Sequence, residues 1–457
     1  MDPDQGPFEM PDTVVLLVMD ALDAGHLHHL GYHRETTPRL DALAAQGVTF
    51  TEAMTPAPYT VASIPSILTG RLPDRHGLVH KSLGQLAEEE VTLAERFAAA
   101  GFRTFGATAN PNGGIRRNVH QGFEEFLEVC DGPGPEGAVQ VEVWGETMHI
   151  PKGEEMPPVF ERFLDQRREG ERLFVYLHLL EPHTDYTPPE PFFSRWIDPE
   201  YDGPFASGRV QPMIDEASGR LTANAADRQA TLDLYDANLA YGDHCVGLLL
   251  DLLVERGLYD GALIALTADH GEALWQHGLW GHNRQLFEES VHVPLIVKFP
   301  GQSVQGVRVD DLVGLIDLAP SLLEWAGLPP PADANFDGLR LQPLVDEPGS
   351  GDPERELLLR SAHALPHLAL RTRERKLILM PQGVGNEPAN VRWYDLIEDR
   401  GERRNLAGEM DGSTRGRVTQ LEELASTFHR RAKGEELEEG VRDALLEALG
   451  YGGDDDE

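Results

Sequence analysis

The sequence predicts an α/β fold built on a large, mostly parallel, doubly wound sheet that is flanked by helices. Short, continuously apolar and partly β-branched runs predict buried strands at Val14–Met19, Leu173–Leu179, Leu263–Thr267 and Pro294–Phe299. Amphipathic segments between these runs predict helices at Arg39–Gln46, Leu93–Ala100, Ala230–Arg256 and Leu318–Ala326. Because strands and helices alternate along the chain, we expect crossover connections between parallel strands.

A glycine follows each of the four predicted helices, at Gly47, Gly101, Gly257 and Gly327. Glycine enters the left-handed region of backbone space without a steric penalty. We therefore expect each of these glycines to be a left-handed residue that ends its helix.

A second, smaller unit is predicted after the main sheet, where the pattern changes near Pro331. Four short antiparallel strands and one polar helix are expected at Leu357–Arg360, Leu368–Arg371, Lys376–Met380, Arg392–Asp395 and Gly416–Lys433. We predict a catalytic α/β domain at residues 1–330, an α+β subdomain at 331–445, and a disordered acidic tail at 446–457. Two Pro- and Gly-rich stretches, Asp131–Pro158 and Thr184–Ala226, are predicted to be surface excursions, the second over one face of the sheet.

The charge of the chain argues against two classes of binding partner. The chain has 457 residues and a formal net charge of -38. A surface this acidic repels phosphate backbones and anionic lipids, which argues against nucleic-acid and membrane-surface binding. Arginine supplies most of the positive charge, a composition typical of proteins from salt-adapted cells.

Cysteine usage and the termini predict a cytoplasmic protein. The two cysteines, Cys130 and Cys245, have no metal-ligand or redox spacing, so we expect no disulfide and a reducing compartment. The N-terminus lacks a signal-peptide pattern, and no apolar run approaches the ~18 residues of a membrane span. The oligomeric state is not indicated by the sequence.

Polar residues follow three of the predicted strands. Asp20 follows the first strand, Glu181 and His183 follow the second, and Asp269 and His270 follow the third. In open parallel sheets ligands bind beyond the carboxyl ends of the strands. The same placement at three strand ends therefore predicts a functional site, although a single strand-end Asp is often only a helix cap.

Asp20, Asp269 and His270 form a reasonable set of ligands for one divalent metal ion. We expect Mn²⁺ or Ca²⁺ first, with Zn²⁺ or Mg²⁺ as alternatives. A hydroxyl nucleophile is the expected fourth ligand, because coordination lowers the pKa of a hydroxyl that is inert at neutral pH.

Several segments resemble the sulfatase family of the alkaline phosphatase superfamily, and they occur in the order typical of that family. Thr267–Ile296 reads TADHGEALWQHGLWGHNRQLFEESVHVPLI, Ala57–Gly77 reads APYTVASIPSILTGRLPDRHG, and Glu181–Pro189 reads EPHTDYTPP. The segments Val15–Tyr32 and Thr36–Ala53 resemble its first strand and following helix, and Tyr394–Leu396 with Asn405-Leu406 resembles its C-terminal signature. The resemblance implies an alkaline-phosphatase-like fold.

The same resemblance places the nucleophile at Thr60. Typical members have Cys or Ser at this position, which a modifying enzyme oxidises to formylglycine. Thr cannot form that aldehyde, so no formylglycine is expected, and direct attack by a metal-bound Thr60 alkoxide is the implied mechanism. Ser63 and Ser66 are rival nucleophiles in the same segment.

The start of the helix at this segment has two possible positions. If Thr60 caps the helix directly, Pro65 lies beyond the first turn and breaks a backbone hydrogen bond. If Ser63 is the N-cap, Pro65 is an early helical position and Thr60 lies in the preceding loop.

Further roles follow from the resemblance. The Glu181-Pro182-His183 segment implies a single-metal site, in which His183 contacts the non-bridging oxygens of the ester and His282 serves the leaving group. Two cationic residues typical of the family are missing near Gly106–Pro111, so Asn110, together with Thr108, is a candidate for oxyanion binding. Arg71 is a candidate cation, with Arg116 and Arg117 as alternatives. Asp236 and Asp243 are expected to be structural, and no role is assigned to His26, His28 and His29.

The function predicted from these residues is hydrolysis of sulfuric or phosphoric esters through a covalent intermediate on Thr60. Transfer of the group to an alcohol acceptor is the first alternative, and a non-catalytic anion-binding relative is the second. The expected substrate is an ester of a small molecule, glycan or lipid head group. We expect its contacts to come from Thr184–Ala226 and from the C-terminal unit.

Overall fold

The computed structural model describes residues 10–79, 84–135, 138–143, 146–217, 219–328, 334–381 and 390–432. Within these residues the strands are β1 (Thr13–Met19), β2 (Val48–Met54), β3 (Arg103–Thr108), β4 (Glu125–Glu128), β5 (Gln140–Val143), β6 (Glu146–His149), β7 (Leu173–Leu179), β8 (Ala262–Ala268), β9 (Ala273–Leu274), β10 (Trp280–Gly281), β11 (His292–Lys298), β12 (Val307–Gly314), β13 (Leu357–Arg360), β14 (Leu368–Arg371), β15 (Arg375–Met380) and β16 (Asn390–Asp395).

The helices of the same residues surround the sheets. They are α1 (Pro38–Ala45), α2 (Thr60–Thr69), α3 (Pro73–His76), α4 (Leu93–Ala99), α5 (Met156–Asp165), α6 (Gln211–Ala217), α7 (Ala225–Glu255), α8 (Glu288–Val291), α9 (Leu318–Trp325), α10 (Gln342–Asp346) and α11 (Gly412–Ala432). The four strands and four helices predicted for the main unit are all present, each within a few residues of its predicted ends.

The main sheet has eight strands in the order β12-β2-β11-β8-β1-β7-β3-β4. β11 runs antiparallel to both of its neighbours, and the remaining neighbours pair in parallel. The prediction of a mostly parallel sheet is therefore confirmed. β1 lies near the middle of the sheet, and its residues from Thr13 to Met19 are all buried, which is why its sequence is continuously apolar.

Three of the four glycine predictions are confirmed. Gly101, Gly257 and Gly327 have φ values of +84°, +65° and +67°. Gly47 was predicted wrongly, because it is not among the residues with positive φ. A Cβ atom at Gly47 would collide with the carbonyl of Val297 in β11, so glycine is needed there for close packing against the neighbouring strand.

The C-terminal unit contains the predicted antiparallel sheet, in the order β13-β14-β15-β16. One face packs on α11 through residues that include Leu368, Leu379, Leu421 and Leu424. The other face packs on the main unit, where Leu359 and Ile378 join a cluster with Phe287 and Val291. The segment that contains Leu341 and Leu344 still belongs to the main core, and the small sheet begins at Leu357. The predicted tail at 446–457 lies outside the described residues.

Buried ion pairs join the C-terminal sheet to the main unit. Arg371 of β14 is fully buried, and its Nη2 lies 2.8 Å from a carboxylate oxygen of Glu52 in β2 and 3.1 Å from one of Glu288 in α8. Lys376 of β15 lies 3.1 Å from carboxylate oxygens of both Glu288 and Glu402. Each buried charge in this network has an opposite charge beside it, as burial requires.

The two predicted excursions contain ordered elements. Asp131–Pro158 carries the β5–β6 hairpin. Thr184–Ala226 carries α6, and its aromatic residues Tyr186 and Phe205 pack with Tyr235 of α7. Both cysteines are buried and free, as expected. In the described part of the chain, none of the helices combines the length and the apolar character of a membrane span.

Candidate active site

The candidate residues follow the carboxyl ends of four neighbouring strands, at one edge of the main sheet. In the order β8-β1-β7-β3, these ends are followed by Asp269, Asp20, His183 and Asn110 respectively. Parallel strands end at the same edge of a sheet, so residues far apart in sequence converge there. The N-terminus of α2 faces the same edge through Thr60.

Asp20, Asp269 and His270 form a compact buried group. One ligand atom of each lies within 4.8 Å of the ligand atoms of the other two. The Nε2 atom of His270 is 3.5 Å from Asp20 Oδ1 and 3.5 Å from Asp269 Oδ2. The Nδ1 atom of His270 is 3.0 Å from the carbonyl oxygen of Gly271. A carbonyl only accepts, so Nδ1 carries the proton and Nε2 offers its lone pair to the group.

These residues fit a divalent cation. Asp20 Oδ1 and Asp269 Oδ2 are buried and have no hydrogen-bond donor, a costly arrangement for carboxylate oxygens unless a cation satisfies them. Burial and the neighbouring charge of Asp269 raise the pKa of Asp20 well above its usual range. A bound cation reverses such a shift, because it favours the ionised carboxylate.

Thr60 is the first residue of α2, and its N-cap is Tyr59. Its Oγ1 lies 3.4 Å from His270 Nε2 and 3.3 Å from Asn110 Nδ2. Of the two positions considered for the start of this helix, the one at Ser63 is excluded, because Ser63 and Pro65 both lie inside α2. All ten residues of α2 are buried, and packing on every side offsets the backbone hydrogen bond that Pro65 cannot make.

The two rival nucleophiles have other partners. Ser63 Oγ donates to the carbonyl oxygen of Asp269 at 2.5 Å, where it helps to hold the β8 strand end. Ser66 Oγ lies 3.0 Å from His76 Nε2. Both serines are fully buried, and these contacts favour a structural role for each.

Of the two candidates for substrate binding, Asn110 contacts the Asp20, Asp269 and His270 group, but Arg71 does not. Asn110 Nδ2 donates to Asp20 Oδ2 at 2.6 Å. Arg71 follows the C-terminus of α2, about 15 Å from the first residue for a helix of this length, and its Nη1 binds both carboxylate oxygens of Glu90, at 2.6 and 2.8 Å. Of the alternative cations, Arg117 is buried and donates to the carbonyl oxygen of Gly84.

Three histidine rings lie against one another beside the metal-ligand group. The ring centroid of His282 is 4.3 Å from that of His270 and 5.0 Å from that of His183. His183 is anchored at its backbone, because its N–H donates to the carbonyl oxygen of Asp20. Its Nδ1 lies 2.6 Å from the carbonyl oxygen of Thr184, which leaves Nε2 available. Burial lowers the pKa of His183.

Two residues of this region were not predicted. His178 lies inside β7, with Nε2 at 3.7 Å from Asp20 Oδ2 and Nδ1 at 3.1 Å from Thr108 Oγ1. Burial lowers the pKa of His178 to about 4. Glu272 is fully buried and contacts His282 Nδ1 at 3.0 Å. The available signals were a histidine within an otherwise apolar strand and the fourth residue of Asp269-His270-Gly271-Glu272.

Other polar residues near the strand ends have structural contacts. Glu181 accepts a hydrogen bond from the backbone of Gly153, and burial raises the pKa of its carboxyl to about 7. Asp243 accepts from the first backbone N–H groups of α1, as a helix cap does. Asp236 binds His26, Tyr32 and Arg34, whereas His28 and His29 both contact Asp41.

Comparison with known proteins identifies the family to which this sequence is similar. The Sulfatase family model matches residues 12–328, and the model for the C-terminal part of N-sulphoglucosamine sulphohydrolase matches residues 276–426. Arylsulfatase A of Homo sapiens is 28% identical in an alignment of 480 positions, which covers 91% of this chain and 87% of that protein.

Two solved structures show the same fold at low sequence identity. A protein in complex with its substrate D-glucosamine-2-N,6-O-disulfate superposes with a TM-score of 0.71 and 18% identity, over 93% of this chain and 99% of that one. The phosphonate monoester hydrolase of Agrobacterium radiobacter gives a TM-score of 0.67 and 19% identity, over 92% and 96%.

Proposed function

Because the chain belongs to the sulfatase family of ester hydrolases, we propose that it hydrolyses sulfate or phosphate esters with Thr60 as the nucleophile. One observation carries most of the weight. The Thr60 hydroxyl oxygen lies 3.4 Å from Nε2 of His270, inside the only group of carboxylates and histidines in the described residues that could hold a metal ion.

Asp20, Asp269 and His270 would hold one divalent ion, Mn²⁺ or Ca²⁺ first, with Zn²⁺ and Mg²⁺ as alternatives. Such an ion would lower the pKa of the Thr60 hydroxyl and polarise the ester. The donor set supports this assignment, because two hard carboxylates and one neutral imidazole suit such cations.

The protein's own residues supply the rest of the first step. Thr60 stands in the first turn of α2, where the positive end of the helix favours an anionic ester beside it. After its proton has passed to solvent, Thr60 Oγ1 attacks the sulfur or phosphorus atom. Asn110, which donates to Thr60 Oγ1 at 3.3 Å, orients the attacking oxygen.

His183 and His282 complete the reaction. The free Nε2 of His183 is proposed to contact the non-bridging oxygens of the ester. His282 gives a proton to the leaving oxygen as its bond to sulfur or phosphorus breaks. In the second step the neutral His282 takes a proton from a water molecule that displaces Thr60, as microscopic reversibility requires.

The identity of the nucleophile favours a phosphoester over a sulfate ester. A formylglycine hydrate can expel sulfate by re-forming its aldehyde, whereas Thr60 has no such route. The covalent group on Thr60 has to leave by attack of water, a reaction that resembles the second step of phosphatases.

The organic part of the substrate is proposed to be a small molecule, a glycan or a lipid head group. A segment of the C-terminal unit reaches the site, because the backbone N–H of Ala362 donates to the carbonyl oxygen of Asn283, beside His282. We also propose a cytoplasmic location in a salt-adapted cell, which the net charge of -38 and the two free cysteines support.

Turnover of three model esters tests the proposal. The protein is purified in high salt, supplied with Mn²⁺, Ca²⁺, Zn²⁺ or Mg²⁺ in turn, and assayed with aryl sulfate, aryl phosphate and bis-aryl phosphate. We expect metal-dependent turnover, with the phosphate esters preferred, and its loss in Thr60→Ala but not in Thr419→Ala, which changes a threonine on α11. Turnover that Thr60→Ala leaves intact rejects the nucleophile, and no turnover with any metal favours a binding protein. Product formed on an added alcohol indicates transfer instead of hydrolysis.

A further inference from the structure

Glu272 makes two side-chain contacts in the interior of the site. One of its carboxylate oxygens lies 3.0 Å from Nδ1 of His282, and the other accepts a hydrogen bond from the Tyr186 hydroxyl at 3.4 Å. Glu272 is fully buried, whereas the side chain of His282 retains 14% of its exposure. The carboxylate therefore lies behind the histidine ring, on the side away from solvent.

This contact decides which nitrogen of His282 can meet a substrate. A carboxylate accepts hydrogen bonds, so the Nδ1 atom that faces it carries a proton. The Nε2 atom lies on the opposite side of the ring from Glu272. The rings of His270 and His183 lie 4.3 and 5.0 Å from the His282 ring, so the His282 ring stands beside the place where the ester is proposed to bind.

We propose that Glu272 is a positioning residue that fixes the orientation and tautomer of His282, so that Nε2 of His282 protonates the leaving oxygen. This inference rests on the function proposed above and adds the residue that orients His282 for proton transfer. Before the first step the His282 ring carries a proton on each nitrogen. As the ester bond breaks, its electron pair stays on the leaving oxygen, which takes the Nε2 proton and leaves the neutral Nδ1–H ring. The Nδ1 proton remains on the ring and on its hydrogen bond to Glu272 throughout.

The alternative is that Glu272 only stabilises the local fold. Glu272 precedes β9, and His282 follows β10, so their hydrogen bond closes the base of the short β9–β10 hairpin. A purely structural contact would affect folding stability, and it would affect the turnover of all esters to the same degree. A contact that orients the proton donor affects most strongly those esters whose leaving group needs a proton.

The hairpin itself provides a matched control. Glu289 is also buried, and its carboxylate lies 3.0 Å from Nδ1 of His277 at the tip of the hairpin. The ring of His277 stacks on Phe287 and does not join the three histidine rings of the site. Glu289→Gln therefore removes a buried Glu–His contact of the same length from the same hairpin without altering the proposed proton donor.

A series of esters with increasingly basic leaving groups tests the inference. The aryl ester class that the wild type turns over is used, from 4-nitrophenyl through phenyl to an alkyl ester. We expect Glu272→Gln to lower kcat/KM, which reports the first step, for the phenyl and alkyl esters by about 10²- to 10⁴-fold, the size of a general-acid contribution, and to change kcat/KM of the 4-nitrophenyl ester by less than about 3-fold.

His282→Gln should give the same pattern, and the double variant should be no worse than either single variant, because the two residues act as one unit. Glu272→Asp keeps the carboxylate and should restore part of the lost activity. Glu289→Gln should leave the dependence on the leaving group unchanged. An equal loss for every ester in Glu272→Gln, or additive losses in the double variant, overturns the positioning role.

A spectroscopic readout separates this inference from the proposed hydrolysis. Long-range ¹H–¹⁵N spectra of histidine-labelled protein report which ring nitrogen of His282 is protonated. For the neutral ring we expect Nδ1–H in the wild type and in Glu289→Gln, and a mixture of tautomers in Glu272→Gln. If no ester is turned over, the hydrolase proposal fails, and the spectra still decide whether Glu272 sets the tautomer. An unchanged tautomer in Glu272→Gln contradicts the inference in either case.

Discussion

The side-chain amide of Asn110 donates a hydrogen bond to the Asp20 carboxylate at 2.6 Å. The same nitrogen lies 3.3 Å from the Thr60 hydroxyl oxygen. One short side chain at the end of β3 therefore connects a metal-ligand candidate on β1 with the proposed nucleophile on α2. These two contacts lead to a direct prediction about catalysis.

Asn110→Ala should lower kcat by about 10- to 100-fold, the loss expected when a residue that orients a metal ligand is removed. The ester and the ion still bind, but the Thr60 oxygen loses its donor. Steady-state kinetics with an aryl phosphate measure the effect. Arg71→Ala serves as the control, because Arg71 binds Glu90 and lies about a full helix length away. A larger loss in Arg71→Ala than in Asn110→Ala would contradict the placement of both residues.

Metal removal should destabilise the wild type, because it leaves Asp20 and Asp269 side by side with unsatisfied oxygens. Restoring the free ion to 100 times its Kd should add about 2.7 kcal/mol to the free energy of unfolding. Thermal unfolding at a series of Mn²⁺ concentrations measures this. Asp20→Asn removes one of the two charges, so this variant should be more stable than the metal-free wild type and should not respond to Mn²⁺. An identical Mn²⁺ response in both proteins argues against a site at Asp20.

Arg371→Met should lower the free energy of unfolding by about 3–5 kcal/mol, because it leaves buried carboxylates without their partner. Arg371 is fully buried between Glu52 and Glu288, and it joins the C-terminal sheet to the main unit. Urea denaturation in high salt measures the change. Arg404→Met removes an ion pair to Glu409 in which both side chains are exposed, and it should cost less than about 1 kcal/mol.

Acid should destabilise the protein in part through His76. The Nδ1 of this ring accepts a hydrogen bond from the backbone N–H of Leu78, so the proton of the neutral ring is on Nε2, toward Ser66. Burial, with the nearby charge of Arg71, lowers the pKa of His76 from 6.5 to about 3. A depressed histidine pKa gives stability that is present above pH 6.5 and is lost as the pH falls toward 3.

His76→Gln should therefore flatten the decline of stability between pH 6.5 and 4. The slope of the free energy of unfolding should decrease by up to about 1.4 kcal/mol per pH unit, the contribution of one proton. Urea titrations of both proteins at several pH values provide the comparison. Equal slopes in this window would show that the ring titrates in the folded protein as it does in the unfolded one.

The strands that could be predicted from the sequence are those buried on both faces. β1, β7 and β8 are largely apolar because every residue in them is buried. β2 was not predicted, since it contains polar residues such as Glu52. That carboxylate is accommodated by Arg371, a residue 319 positions later. A single sequence does not indicate that such a distant partner will satisfy a buried charge.

The site residues that could be predicted are likewise those with a local sequence signal, whereas those that depend on distant partners were missed. Asp20, Asp269 and His183 follow strands, and a general rule about parallel sheets located them. His178 lies inside a strand, and its orienting partner Thr108 is 70 residues away. The start of α2 could not be decided from the sequence, because local helix chemistry disfavours Pro65 inside a helix, whereas burial of the entire helix decides the outcome. Arg71 was predicted as a substrate-binding cation because its ion pair with Glu90 is not evident from the sequence.

The covalent intermediate on Thr60 is the central claim, and one measurement tests it directly. In His282→Gln a 4-nitrophenyl ester should still transfer its sulfuryl or phosphoryl group to Thr60, because that leaving group needs no proton. Release of the group by water should be slowed, so the covalent intermediate should accumulate. Rapid acid quenching followed by peptide mass spectrometry should find one such group on the peptide that contains Thr60, in an amount equal to the burst of nitrophenol. A burst with no modified peptide, or with the group on Ser63, Ser66 or any other residue, would contradict the account.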